Sequence, residues 1–161
     1  MVGVADISAV VAAVGVFVGV ALTVLELRHI SRQRQTQLVV ELSSQTRSKE
    51  FKEVTMEILG LEFSDYDDFV RRYGAPFSKN PIPVSLSIFC TFYEELGVLV
   101  KNTLVDTRLI SQLFSIDIPW QKVKEIVECM RRQYHEPRLY EWFEYLYNET
   151  MKREKVDITH G

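Results

Sequence analysis

The chain is short of the residues that usually announce chemistry. Its three histidines, His29, His135 and His160, share no spacing that would gather them on a metal, and no His-Glu-x-x-His run occurs. Two cysteines, Cys90 and Cys129, show no Cys-x-x-Cys spacing. Both fall in apolar helical stretches and read as buried free thiols in a reducing compartment. Seven glycines are too scattered for a phosphate-cradling loop, and no Ser-His-Asp order is visible. A basic excess is also missing: the net charge is −3, which removes the electrostatic footprint of a nucleic-acid binder. From Glu26 to Leu59 there is neither proline nor glycine, so nothing marks the end of a helix there. These gaps point to a protein with no catalytic residues, no cofactor-binding residues and no metal ligands.

What is present is one long run without charge. Ile7 to Leu25 holds only Ser8 and Thr23 as polar side chains, and a hydroxyl can bond back to its own helix. At ~1.5 Å per residue the run covers roughly 28 Å, close to the ~30 Å hydrocarbon thickness of a bilayer. It is apolar all round, unlike an ordinary core helix. The preceding residues carry no Lys or Arg, unlike a signal peptide. The reading is a retained single span. Arg28, Arg32 and Arg34 follow it closely, and the positive side stays cytoplasmic. That places a short N-terminus outside the cell membrane and the C-terminal domain in the cytoplasm, with the three arginines on anionic lipid head groups. Asp6 fits as the N-cap of the span. Gly15-x-x-x-Gly19 would let two such helices approach closely, because no Cβ holds them apart.

The remaining chain reads as all-α. The domain plan is a transmembrane anchor over 1–28, a long juxtamembrane helix over 29–60, a helical domain over 61–155 and a tail over 156–161. The long helix is expected to continue from the span to Gly60, with a bend near Ser43-Ser44, and to reach ~45 Å over ~30 residues. Leu38, Leu42, Phe51, Val54 and Ile58 make a narrow apolar stripe along it. Ser64 is expected to cap a short helix over 65–73. The acidic residues around it lack the central Gly of a calcium loop and read as a solvated face. Val84 to Val100 forms the central helix, with Leu86, Phe89, Cys90, Tyr93, Leu96, Gly97 and Val100 on one face. Adjacent Glu94 and Glu95 argue against a second span there. Asp106 caps the next helix. Asp117 and Pro119 open another, which runs to Gln133 with Arg131 and Arg132 at the negative end of its dipole. Pro137 begins the last helix, with His135 as its cap.

The stretch PheTyrGluGluLeuGlyValLeuValLys (92–101), the Leu-Val-Asp turn after it, and ArgArg…GluProArgLeuTyrGluTrpPheGluTyrLeu (131–146) resemble a prokaryotic membrane-anchored family, domain of unknown function 4760. The resemblance covers nearly the whole chain. It implies an N-terminal membrane helix, a long connecting helix and a compact helical domain with a Glu-Leu-Gly core motif and an aromatic C-terminal helix. It carries over no catalytic residue. The family's usual aromatic pair at the start of its fifth helix is reduced here to Trp120, after Pro119.

Glu94 and Glu95 point ~100° apart on a helix, so they cannot act on one atom. One of them is expected to form a structural ion pair with Arg131, Arg132 or Arg138, because buried charges need partners. The aromatic residues Trp120, Tyr140, Trp142, Phe143 and Tyr147 recur at helical spacing and read as core rather than as a ligand cage. The expected function is therefore non-enzymatic. The chain would be a scaffold or small subunit that tethers a helical domain at the inner membrane face, with the lipid bilayer and a protein as partners. The alternative is a homo-oligomeric membrane assembly or effector, of a cell-defence type among others, associating through the span and the long helix.

Overall fold

A computed structural model of the chain describes the backbone of residues 4–160 and the side chains of residues 16–20, 22–26, 33 and 35–155. The described residues are helical, with no strand among them. In order they form α1 (Val4–Arg47), α2 (Lys49–Leu59), α3 (Tyr66–Tyr73), α4 (Pro81–Lys101), α5 (Thr107–Leu113), α6 (Asp117–Gln133) and α7 (Glu141–His160). The chain divides into two compact units, Met1–Glu41 and Leu42–Gly161.

In the first unit, α1 exposes Val16, Phe17, Val18, Val20, Leu22, Val24 and Leu25. Thr23 donates its hydroxyl to the Gly19 carbonyl at 2.9 Å, which satisfies that group within the helix. A Cβ on Gly19 would meet nothing within 4 Å. Asp6, Gly15, Arg28, Arg32 and Arg34 lie outside the residues whose side chains are described.

The second unit begins with a correction to the expected continuous rod. The helix breaks at Ser48 rather than bending near Ser43-Ser44, and its second piece, α2, ends at Gly60 as expected. Ser48 leaves the helical region (φ −60°, ψ 147°), and its side chain accepts the N–H of Phe51 at 3.1 Å. That is an N-cap, reinforced by Glu50 in the first turn of α2. The cap of α3 also lies one residue later than expected. Asp65 accepts the Asp68 N–H at 2.8 Å.

The core is organised by α4, which packs against α7 on one side and α2 on another. By length and composition α4 could cross a bilayer. Instead its Leu86, Phe89, Cys90, Phe92, Tyr93, Leu96 and Val100 are buried in the bundle. Phe51 of α2 sits 4.5 Å from Phe92, and Tyr93 stacks on Phe143 of α7 at 4.6 Å. α6 adds Trp120, Val123, Ile126, Val127 and Met130. Trp120 meets the Phe143 ring edge-on at 5.0 Å. Offset and edge-on aromatic pairs of this kind add to the apolar burial that drives the fold.

The last helix starts later than the Pro137 of the sequence reading. His135 and Tyr140 both take positive φ, 56° and 54°. The backbone therefore turns between them, and α7 opens at Glu141. His135 is exposed in that turn and does not cap the helix.

Candidate functional site

A group of ionisable side chains sits where α4 crosses the start of α7. Gly97 makes this crossing close. A Cβ there would lie 2.0 Å from the Trp142 carbonyl oxygen and 2.4 Å from its carbon. No side chain fits, so the Glu-Leu-Gly sequence ends on glycine for a packing reason. One turn earlier on α4, Glu94 faces the same junction. Its Oε2 accepts the backbone N–H of Phe143 at 2.8 Å, and the N–H of Trp142 also points at the carboxylate. A carboxylate from α4 thus supplies what α7 lacks in its own sequence, a partner for N–H groups that no helical carbonyl can reach. Burial raises the Glu94 carboxyl above its ordinary value, opposed by these N–H groups and by Arg131.

The ion pair expected for Glu94 or Glu95 is redistributed. Arg131 pairs with Glu144 at 2.6 Å and donates Nε to the Leu139 carbonyl at 2.9 Å. Arg132 reaches Cys129 Sγ at 3.0 Å, and Arg138 pairs with Glu141. Glu95 is exposed. Arg131 therefore acts on Glu94 through space, while its direct contacts tie α6 to the turn before α7 and to α7 itself. The Arg131 Nη2 atom is buried without a partner.

Around Glu94 the other reactive groups are disarmed. Burial, with the Glu94 charge behind it, pushes the Cys90 thiol well up, so the thiolate that would make it a nucleophile is suppressed. Burial pushes the Tyr140 phenol up to about 12, with Cys90 adding to the effect. No water-sized void opens among Leu86, Ser87, Met130 and Tyr140. Of the two cysteines, Cys90 is buried and Cys129 only half-buried, so the sequence reading holds for the first alone.

The five aromatic residues singled out from the sequence separate. Trp120, Tyr140 and Phe143 are buried. Tyr147 stacks on Trp120 at 6.1 Å and accepts a hydrogen bond from Gln121 at 2.9 Å. Trp142 is half-exposed, with the chain's own Lys101 ammonium 5.8 Å from its ring centre and 5.0 Å from that of Tyr145. A cationic ligand would find that face already occupied.

Of the acidic residues expected to form a solvated face, Asp68 in the first turn of α3 is instead buried and engaged, while Glu62, Asp65 and Asp67 are exposed. Asp68 is 4% exposed and takes the Ser64 N–H at 3.1 Å and Arg72 Nε at 2.9 Å, with Arg71 beside it. Its burial disfavours the charge, but the Ser64 N–H and the two arginines outweigh that and hold the carboxyl below its ordinary value. Among the described residues no three His, Cys, Asp or Glu side chains converge as a metal site would require. The sequence signal for this cluster was Asp68 with Arg71 and Arg72 at three- and four-residue spacing. The signal for Glu94 as a cap was absent, because its partners lie about fifty residues away.

The fold and this junction define an all-α domain braced on one central helix. A family model described as "Domain of unknown function (DUF4760)" matches residues 4–150. The chain belongs to that family. No curated protein and no solved structure matches it.

Proposed function

We propose that the chain is a single-span protein of the cell membrane, with its helical domain on the cytoplasmic side acting by binding rather than by catalysis. The observation that supports this is the set of large apolar side chains between Val16 and Leu25, 43–76% exposed on a helix apolar all round. Seven such residues within ten positions would be a severe aggregation liability in water and an ordinary surface in lipid. The Thr23–Gly19 bond fits the same reading, since a hydroxyl in hydrocarbon needs an internal acceptor. The suppressed Cys90 and Tyr140 support a non-enzymatic role for the central junction. In this reading the domain is a scaffold or small subunit that holds a protein partner at the inner membrane face.

The test is flotation of the full chain with lipid vesicles after alkaline carbonate washing. Retention in the floated, carbonate-resistant fraction is expected. Release into the soluble fraction overturns the reading. A second reading, self-association through the span, draws on the open backbone surface at Gly19. Crosslinking in native membranes should then give a dimer that Gly19→Ile weakens. A dimer unchanged by that substitution takes the Gly19 face out of the interface.

A further inference from the structure

An open groove of about 270 Å³ runs between α2 and the C-terminal end of α5. Phe51 and Tyr93, both buried, and Phe114 give it an aromatic floor. Met56, 73% exposed, and Leu113 stand at its edges with nothing packed over them. The size is modest but real: an apolar cavity of about 150 Å³ already holds benzene.

The polar groups in the lining are unevenly used. Thr55 donates its hydroxyl to the Phe51 carbonyl at 2.8 Å and Thr46 donates to Ser43 at 3.1 Å, so both are engaged. Among the described residues, the Lys52 ammonium and the Tyr93 and Ser115 hydroxyls donate no hydrogen bond. Lys52 is the single charge in the lining, and it is positive in a chain of net charge −3. Its neighbour Lys49 is paired with Glu53 at 3.4 Å, while Lys52 has no ion pair among the described residues. The Tyr93 ring is buried, 6% exposed, and its hydroxyl is not among the buried atoms that lack a partner, so it opens onto the groove's solvent. An apolar trough whose one charge is the Lys52 ammonium, with two hydroxyls that can donate beside it, complements a ligand with an apolar body and an anionic acceptor at one end.

We infer that this groove binds a medium-chain carboxylate, its alkyl chain over Phe51, Tyr93 and Phe114 and its carboxylate on Lys52. This goes beyond the membrane reading and stands without it, because the groove lies wholly within the unit Leu42–Gly161.

The experiment irradiates the full chain with a dodecanoate bearing a terminal diazirine and maps the adducts by peptide mass spectrometry. The chain is held in lipid nanodiscs if it floats with vesicles and in buffer if it does not. Adducts are expected on the α2 and α5 peptides that line the groove, suppressed by excess dodecanoate but not by dodecanol or dodecyltrimethylammonium. Lys52→Glu should cut that labelling about fivefold or more and Lys52→Arg should preserve it, as a charge-assisted contact requires. Tyr93→Phe should cut it about twofold, with circular dichroism showing the fold retained. Adducts confined to residues 7–25, equal competition by dodecanol, or labelling indifferent to Lys52→Glu would each overturn the proposal.

Discussion

Replacing Gly97 by alanine tests whether the α4–α7 crossing is as close as the structure has it. Alanine is the better helix former by ~1 kcal/mol, so on local grounds alone Gly97→Ala should stabilise α4. The added methyl would instead lie 2.0 Å from a backbone oxygen and 2.4 Å from a backbone carbon of Trp142. Backbone atoms cannot swing aside as a side-chain end can, so the two helices must part by more than an ångström to reach ordinary contact. That movement stretches the 2.8 Å bond from Phe143 N–H to Glu94 and loosens the Tyr93–Phe143 stack. Overpacking against an unyielding neighbour costs about 3 kcal/mol, at the upper end of the usual range. Set against the propensity gain of ~1 kcal/mol, the net loss is ~2 kcal/mol. For a unit the size of Leu42–Gly161 that is a fall in Tm of about 8 °C. Thermal unfolding followed by far-ultraviolet circular dichroism measures it, with the exposed Glu95→Ala on the same helix as a control. A Gly97→Ala chain as stable as the parent, or more so, would refute the reasoning, since propensity alone would then account for the result.

Trp120, 1% exposed, fills the middle of the bundle, and Trp120→Ala should lose about 3–5 kcal/mol in denaturant unfolding, whereas half-exposed Trp142→Ala should lose well under that. Glu94 and Asp68 should respond to pH in opposite senses. The Glu94 carboxyl is raised in the fold, so its protonated form is favoured there. Its contribution is full below the ordinary carboxyl range and is lost as pH rises through the raised value. Glu94→Gln should therefore be at least as stable as the parent at pH 7, with the gap closing as pH falls towards 4; a gap that widens on acidification contradicts this. The Asp68 carboxyl is lowered, so its contribution is present above the ordinary range and lost as pH falls through the depressed value. Asp68→Asn should destabilise at pH 7 and converge on the parent at low pH, as read by urea unfolding across that window. Thiol titration of the folded chain should find Cys129 reactive and Cys90 reactive only in denaturant; rapid labelling of Cys90 under native conditions would show that the junction opens.

Local signals in the sequence match the structure where the physics is local. Asp106 caps α5 and accepts the Arg108 N–H at 2.7 Å, and Asp117 opens α6, which ends at Gln133 as its basic last turn implied. The apolar periodicity of 84–100 matches the buried face of α4, and of the stripe Leu38, Leu42, Phe51, Val54 and Ile58 three residues, Leu42, Phe51 and Ile58, are buried while Leu38 and Val54 are half-buried. The break at Ser48 was also local, a serine three residues ahead of Phe51. A stretch without glycine or proline reads as uninterrupted helix, so the serine's capping side chain is the one local sign of the break.

Other features could not be read from periodicity. The start of α7 depends on positive φ at His135 and Tyr140, and on a carboxylate that arrives from α4. The choice of Glu144 over Glu94 as the partner of Arg131 is set by how α6 and α7 pack.

The sequence by itself determined that this is an all-helical chain with one uncharged apolar run and a family kinship across nearly its whole length. Those properties follow from the order of residues within a turn or two. Tertiary structure alone decided which carboxylate caps which helix, why Gly97 must be bare, and that α2 and α5 leave a groove with Lys52 as the one charge in its lining. Such contacts join residues tens of positions apart, and their geometry exists only once the helices have packed.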